Sequence, residues 1–427
     1  MIDIKRLRQD PEGTRRALAR RMDPSLDQSV ARLLELDERR RDAVTRAETL
    51  KAQRNADTEE VARLKRAGQP AEEQMAQLRA SGETVKALDA EIRELDATLG
   101  DALLRIPNLP HSDIPDGDAT ANRVLRSWGE LPQFDFEPKP HWEIGTALGL
   151  FDLPRGARLA GSGFPLFTGM GARLVRALAN FMLDLHTTEH GYEEVVPPLL
   201  VNRATLTGTG QLPKFEDDVY AVPSEDLFLI PTAEVPVTNM VREEILDAAS
   251  LPRTWVAYTP CFRQEAGAHG RDTRGLIRVH QFDKVELVRI VHPDQSDAEH
   301  GTLTQHAETV LQRLELPYRV VELAAGDTGF AAARTYDLEV WAPGVNGWLE
   351  VSSSSTCTDF QARRASIRFR PAPSARPEFV HTLNASGLAF PRTIIALLEQ
   401  NQAADGSVRV PAPLVPYLGT ERITPRA

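Results

Sequence analysis

Arginines crowd a glycine-punctuated stretch in the middle of this chain. It reads Phe262-Arg263-Gln264-Glu265-Ala266-Gly267, continues through Gly270-Arg271-Asp272-Thr273-Arg274-Gly275, and ends Phe282-Asp283-Lys284-Val285-Glu286. Arg263, Arg271, Arg274 and Arg278 fall inside it, and apolar and polar residues alternate from Ile277 to Val285. That pattern predicts strand, mobile loop, strand. Arginine keeps its charge and offers a planar fork to phosphate or carboxylate oxygens, and a strand holds it more firmly than a loop does. Arg263 and Arg278 are therefore candidates for clamping the phosphates of a nucleotide. On residue types alone, an exposed hairpin whose arginines pair with Glu265, Asp272, Asp283 and Glu286 explains the cluster equally well.

The order of the residues separates these readings. FRxEAG followed by GRDTRGLIRVHQFDKVE resembles motif 2 of class II aminoacyl-tRNA synthetases, in the form carried by the seryl-tRNA synthetases. Gly191-Tyr192-Glu193-Glu194-Val195-Val196-Pro197-Pro198 resembles motif 1, and Asn384-Ala385-Ser386-Gly387-Leu388-Ala389-Phe390-Pro391-Arg392 resembles motif 3. The three motifs span about 172–201, 256–287 and 384–401. Between them, Thr232-Ala233-Glu234 is similar to a serine-binding loop. Glu350-Val351-Ser352-Ser353 is similar to the family's metal and ATP segment, and Asp359-Phe360-Gln361-Ala362-Arg363-Arg364 to the tail that follows it. The resemblance covers essentially the whole chain.

It implies a serine–tRNA ligase: serine and ATP form seryl-adenylate, and the seryl group passes to the 3′ end of tRNA(Ser), and of tRNA(Sec) where that tRNA exists. No nucleophile from the protein is needed; two anions must be aligned and transition-state charge absorbed, which arginines and Mg2+ can do. By the resemblance, Arg263 and Arg392 are the catalytic residues. Arg263 holds the α-phosphate and the serine carboxylate, and Arg278 and Arg392 hold the γ-phosphate. Phe282 stacks under adenine, Glu265 contacts the base, and Gln264, Val279, Val351 and Ser352 complete the ATP site. Glu350 and Ser353 are the metal ligands. The serine pocket takes Thr232, Ala233, Glu234, Arg263, Glu286, Asn384 and Ser386, with Glu286 the first candidate for the serine hydroxyl; a buried partner left unpaired penalises alanine.

Each residue also has a plain alternative when taken alone. Glu286 suits a strand surface, Ser386 a helix cap, Asn384 a turn, and Glu-x-Ser-Ser a solvated turn after a strand. Their joint occurrence in family order outweighs those readings. His269 and His280 receive no catalytic role, since substrate phosphate can accept the proton. Gln264 stands where the family commonly has serine, Pro391 where glycine is frequent and Ser354 where cysteine is usual; none of these removes a charged clamp residue.

The elements that must position these groups divide in two. Residues 1–108 lack aromatics almost entirely and read as long helices. Leu78, Val85, Ile92 and Leu99 recur every seven residues, with Leu88 and Leu95 offset by three. Leu36, Ala43, Leu50 and Leu64 share a weaker register, and Leu33, Ala47 and Val61 share another interrupted by Arg40 and Arg54. Gly68-Gln69-Pro70 breaks the pattern, which predicts an antiparallel coiled coil with about 35 residues per arm and a length of about 50 Å. Residues 1–110 carry 21 Lys+Arg and 21 Asp+Glu, so the whole net charge of −11 belongs to the remainder. An acidic body repels a polyanion, which makes the neutral arm, with Lys65 and Arg66 at its tip, the expected tRNA contact. In the resembled family that arm crosses the other subunit's active site and grips the long variable arm of the tRNA by shape.

A Pro- and Asp-rich connection runs from 107 to 118, and 109–427 is expected to form the class II catalytic domain. Short β-branched and aromatic runs predict a mostly antiparallel sheet flanked by helices near 171–190, 292–314 and 391–401. The fold class is thus α+β: an N-terminal antiparallel α-helical coiled coil plus a class II synthetase catalytic domain. No Rossmann or P-loop glycine pattern occurs. Cys261 and Cys357 make no disulfide framework or CxxC site and are expected reduced and buried. No run is apolar enough to span a membrane, and the start lacks a secretory core, which predicts a cytoplasmic protein, as a homodimer by the resemblance. Two other readings stay open: a relative that loads a carrier protein, which would usually lose the arm, and a non-catalytic RNA-binding relative, which should have lost Arg263, Glu265, Glu286 or Arg392.

Overall fold

The structure is a computed structural model that describes residues 1–266 and 273–425. It divides into two compact units. One comprises Ile2–Ala19 and Asp23–Pro107; the other comprises Met1, Arg20–Met22 and Asn108–Ala427.

The first unit is all helical: α1 (Ile4–Gln9), α2 (Pro11–Ala19), α3 (Ser25–Arg66) and α4 (Glu72–Leu104). Sequence periodicity gives the two long helices but not the break into α1 and α2, which falls at Asp10-Pro11, where proline cannot supply an N–H to a continuing helix. Leu33, Leu36, Ala43, Ala47 and Val61 of α3 are buried, as are Val85, Leu88, Leu95 and Leu99 of α4. Leu50, Leu64, Leu78 and Ile92 are only half-buried, because two helices leave the flanks of a seam open. Arg40, which interrupts the apolar register, pairs with Asp96, and Lys51 reaches Asp89 at 2.7 Å. As surface ion pairs these contribute about 0–1 kcal/mol each, yet their crossed numbering fixes the antiparallel register. After α3 the chain turns through Gly68 in the left-handed region (φ 69°), with Gly68 N donating to Lys65 O and Gln69 N to Leu64 O. That double closure requires a residue without a Cβ penalty.

The second unit is built on an eight-stranded sheet. Its strands are β1 (Arg123–Trp128), β2 (Glu193–Glu194), β3 (Arg253–Phe262), β4 (Gln281–Val291), β5 (Tyr318–Glu322), β6 (Arg334–Ala342), β7 (Gly347–Thr358) and β8 (His381–Ala389). Their spatial order is β1-β5-β6-β7-β8-β4-β3-β2, with every pair antiparallel except the short β2 beside β3. The helices that cover it are α5 (His141–Ala147), α6 (Met170–Thr188), α7 (Ser296–Arg313) and α8 (Phe390–Gln400). In α6, Leu174, Leu178, Met182 and Leu185 recur at helical spacing and face one apolar core with Val285 and Leu287 of β4 and Leu383 and Ala385 of β8. Pro391 lies in the first turn of α8, where its missing N–H costs nothing. Among the described residues no helix is long and apolar enough to cross a membrane. Both cysteines are free and buried.

Candidate active site

Strand alternation and two bulges decide which side chains meet. In β4 the period of two puts Phe282, Lys284 and Glu286 on the face opposite the core residues Val285 and Leu287. The β4–β8 register pairs Val285 with Leu388 but Glu286 with Ser386, so Gly387 is an extra residue. The β6–β7 register pairs Leu338 with Ser352 but Glu339 with Glu350, so Val351 is extra. A bulge re-aims the side chains beyond it. Glu350 and Ser353, three apart, thereby reach the same cavity, which strict alternation would forbid.

That cavity has a volume of about 450 Å³ and is lined by Thr232, Glu234, Arg263, Lys284, Asn384 and Ser386 among others. Its floor is charged and buried. Lys284 is ion-paired with Glu286, and its Nζ donates to Thr232 Oγ1 at 2.8 Å. Asn384 Nδ2 donates to Glu286 Oε1 at 3.1 Å. Glu234 Oε1 accepts from Gln361 Nε2 at 2.6 Å. Burial and the nearby Glu286 carboxylate push the Glu234 pKa up to about 7, against the opposing pull of Gln361, Lys284 and Arg263. Glu234 therefore faces the cavity with a second carboxylate close behind it, and of the two only Glu286 has a cation, Lys284, paired with it.

A second cavity of about 160 Å³ shares Arg263, Glu265, Arg278, Lys284, Glu350 and Ser386 with the first and adds Val279, Phe282 and Arg392. The guanidinium of Arg263 lies 5.2 Å from the Phe282 ring centre, and its Nε donates to Pro231 O at 3.2 Å. Arg278 pairs with Glu265. Arg392, in the first turn of α8, donates to Ile277 O at 3.1 Å and to Glu350 O at 2.8 Å. Three guanidinium groups and an aromatic face around one opening suit a nucleotide with its phosphates.

Of the residues singled out from sequence, Thr232, Glu234, Arg263, Glu265, Arg278, Glu350, Ser353, Asn384 and Ser386 line the first cavity, and Val279, Phe282 and Arg392 the second. Glu286 lies behind the first wall through Lys284 and Asn384. Ala233, Val351 and Ser352 are buried and line neither; Ser352 Oγ donates to Ser386 O at 2.6 Å. Gln264 turns away, its Nε2 donating to Val219 O at 2.8 Å and its backbone N to Asp218 O at 3.0 Å. His280 Nδ1 donates to Arg263 O at 3.0 Å, which makes it a brace for the clamp strand. The loop expected between the strands, with His269 and Arg271, falls on residues 267–272, outside the described residues.

Sequence reasoning missed three groups. Lys284 shares the phase of Phe282 and Glu286 in a strand whose other face is apolar, which was a readable signal. Gln361 lies in the Asp359–Arg364 segment singled out above, yet nothing in that segment points it at Glu234; Thr382 Oγ1 donates to its Oε1 at 2.6 Å and its Nε2 also reaches Thr209 O at 3.1 Å. Arg21, far from the rest in sequence, fans onto the carbonyls of Asn108, Thr328, Gly329 and Ala332, steadying the Gly329–Ala332 segment that walls the first cavity. Burial lowers its pKa to about 10.

Comparison with known proteins accords with this geometry. Residues 1–110 match the seryl-tRNA synthetase N-terminal domain, and residues 214–401 match the tRNA synthetase class II core domain (G, H, P, S and T). The serine–tRNA ligase of Gemmatimonas aurantiaca is 56% identical over 98% of this chain and 99% of its own. The chain belongs to the seryl-tRNA synthetase family. Among solved structures, the Pyrococcus horikoshii seryl-tRNA synthetase complexed with ATP aligns with a TM-score of 0.96 and 38% identity over 100% of both chains. The cytoplasmic serine–tRNA ligase of Naegleria fowleri in complex with AMP aligns with a TM-score of 0.89 and 28% identity, over 100% of this chain and 99% of its own. Membership of this family makes the chain an aminoacyl-tRNA synthetase of the ligase class.

Proposed function

We propose that this chain activates L-serine with ATP and transfers the seryl group to tRNA(Ser), and to tRNA(Sec) where it exists. The observation that carries this reading is the joined pair of cavities: Arg263 lies between a carboxylate-lined pocket of amino-acid size and an opening ringed by Arg278, Arg392 and Phe282. In the first step a serine carboxylate oxygen attacks the α-phosphorus, a new P–O bond forms, and the bond to the β-phosphate breaks to release pyrophosphate. Arg263 then touches both anions, and because it is held by Pro231 O and the Phe282 ring it needs no rearrangement as charge develops. Arg278 and Arg392 take the terminal phosphates, and binding transfers Arg278 from Glu265 to phosphate. In the second step a terminal ribose hydroxyl of the tRNA attacks the seryl carbonyl and AMP leaves.

The serine ammonium fits against Glu234, and its hydroxyl points toward Asn384 and the Glu286 carboxylate behind it, which Lys284 holds and which in turn orients Asn384. An alanine methyl leaves those buried partners unmet, and a threonine branch meets the filled floor. Glu350 and Ser353 suit Mg2+, which commonly takes one or two carboxylates and completes its shell with water and substrate phosphates. Both residues line the first cavity, the Glu350 carboxylate is paired with Arg392 at 3.2 Å in a contact the ion would replace, and Asp337, opposite Ser353, is held well above the usual carboxylate range by burial and by Glu350. When bound, the ion would neutralise phosphate charge. The helical unit is the proposed tRNA contact, and homodimerisation and a cytoplasmic location belong to the same proposal.

The test is transfer of labelled serine onto unfractionated bacterial tRNA with ATP and Mg2+, with alanine and threonine as controls. Charging with serine alone supports the reading. Serine-dependent pyrophosphate exchange without charging would favour a carrier-loading relative. Arg263→Ala is expected to abolish exchange, and survival of activity in that variant would refute the clamp.

A further inference from the structure

The segment that carries Arg278 emerges from residues 267–272 and must be held at a fixed place for its guanidinium to meet phosphate. Among the described residues, the contacts that bear on its position include three. Arg274 lies 4.3 Å above the Trp142 ring, Ile277 O accepts from Arg392 Nε at 3.1 Å, and Leu276 N donates to His141 Nε2 at 3.0 Å. The last contact is unusual, because His141 is wholly buried and is itself held by a wholly buried carboxylate, Glu399. Glu399 Oε1 accepts from His141 Nδ1 and from His141 N, both at 2.8 Å, while Oε2 accepts from Gly344 N at 2.8 Å and Val345 N at 3.3 Å.

All four partners of Glu399 are donors, so only a carboxylate satisfies them. Leu276 N is a backbone N–H and can only donate, so Nε2 of His141 must accept and Nδ1 must carry the proton. The tautomer is therefore dictated from both ends. Gly275 lets the segment come this close: its φ is 66°, and a Cβ there would lie 2.2 Å from His141 Nε2. Glu399 and Arg392 lie seven residues apart on α8, about two helical turns, so that they share one side of the helix. One helix thus grips neighbouring residues of the exit segment, Ile277 directly through Arg392 and Leu276 through His141.

We propose that His141 and Glu399 are positioning residues for ATP activation, setting where Arg278 stands by fixing the His141 tautomer against Leu276 N. Neither touches a substrate. In Glu399→Gln the new amide N–H2 meets donors whichever way it turns: facing Gly344 and Val345 N–H it loosens the loop that holds Glu399, and facing His141 it is relieved at the ring only by moving the His141 proton to Nε2, where it opposes Leu276 N–H. The inference rests on the ATP-site reading above, and its test separates the two.

The experiment is serine-dependent pyrophosphate exchange by the full-length protein, Glu399→Gln and Gly275→Ala, with melting temperatures alongside and 15N-histidine NMR of the wild type. The wild type should show His141 as the Nδ1–H tautomer. Both variants should lose roughly tenfold to hundredfold in kcat/KM for ATP, the scale expected of a misplacement near 1 Å, with KM for serine within about twofold. An Nε2–H tautomer in the wild type would overturn the proposal even if a variant failed to fold, and so would folded variants with unchanged kcat/KM for ATP. An inactive wild type would refute the functional reading instead, while the tautomer could still be read.

Discussion

Glu234 offers the sharpest quantitative test, because its ionisation is set by the site and should be reset by serine. Its pKa of about 7 arises from burial and from Glu286, so near neutral pH the empty pocket holds the carboxylate and the acid in similar amounts. A serine ammonium docking there selects the carboxylate, so binding at pH 7 should release about half a proton per serine. Below that pH the affinity should fall close to tenfold per unit, reaching about 2.7 kcal/mol at two units below the pKa. Titration calorimetry with serine alone, in buffers of different ionisation enthalpy, measures both quantities, and omitting ATP matters because its terminal phosphate titrates near the same pH. Glu234→Gln should abolish proton release and the pH slope, and should weaken serine binding by about 1.5–3 kcal/mol, the range for a hydrogen bond to a charged group. The sign for folding follows from the raised pKa. The folded protein keeps a proton that the unfolded chain releases, so relative to Glu234→Gln the wild type should lose on the order of 3 kcal/mol of stability as pH rises from about 4.5 to about 7. Serine binding without proton release, with the same pH profile in both proteins, would refute the assignment of the ammonium to Glu234.

Further outcomes test other parts of the structure. Lys284→Met leaves the Glu286 carboxylate buried without its cation and should cost about 3–5 kcal/mol in denaturant unfolding; adding Glu286→Gln should restore much of the stability but none of the exchange activity. His186, His190 and His306 form a packed group, with Nδ1 of His186 and His190 2.9 Å apart and the His190 and His306 rings stacked at 3.9 Å. Burial, with the neighbouring histidine next, holds His186 and His306 down to about 3. The unfolded chain takes up protons that the folded protein refuses, so this contribution is complete above about pH 6.5 and is lost as pH falls toward 3. The melting-temperature gap between the wild type and His306→Gln should accordingly narrow on acidification. Deleting residues 30–100 should leave serine-dependent exchange intact and abolish tRNA charging, measured on the same preparation.

Much of this protein is local in its sequence. The heptads and the Gly68 break specify the antiparallel helical pair, because a two-helix seam depends only on side chains three and four apart. Phe282, Lys284 and Glu286 share a face through the period of two, and Pro391 marks the first turn of α8. The motif residues Arg263, Arg278 and Arg392 are legible as clamp candidates for the same reason, each lying within a short segment with its own pattern. What the tertiary structure alone decided depends on registers between distant strands and on burial. A one-residue bulge at Val351 aims Glu350 and Ser353 together while sending Val351 and Ser352 inward, and no periodicity within that segment could have placed it. Gln361 reaches Glu234, Arg21 reaches the Gly329–Ala332 carbonyls, and His141 joins Glu399 to Leu276 across gaps in sequence that only folding closes. The ionisation of Glu234 likewise belongs to the assembled site, since desolvation and a second carboxylate exist there only after the strands have met.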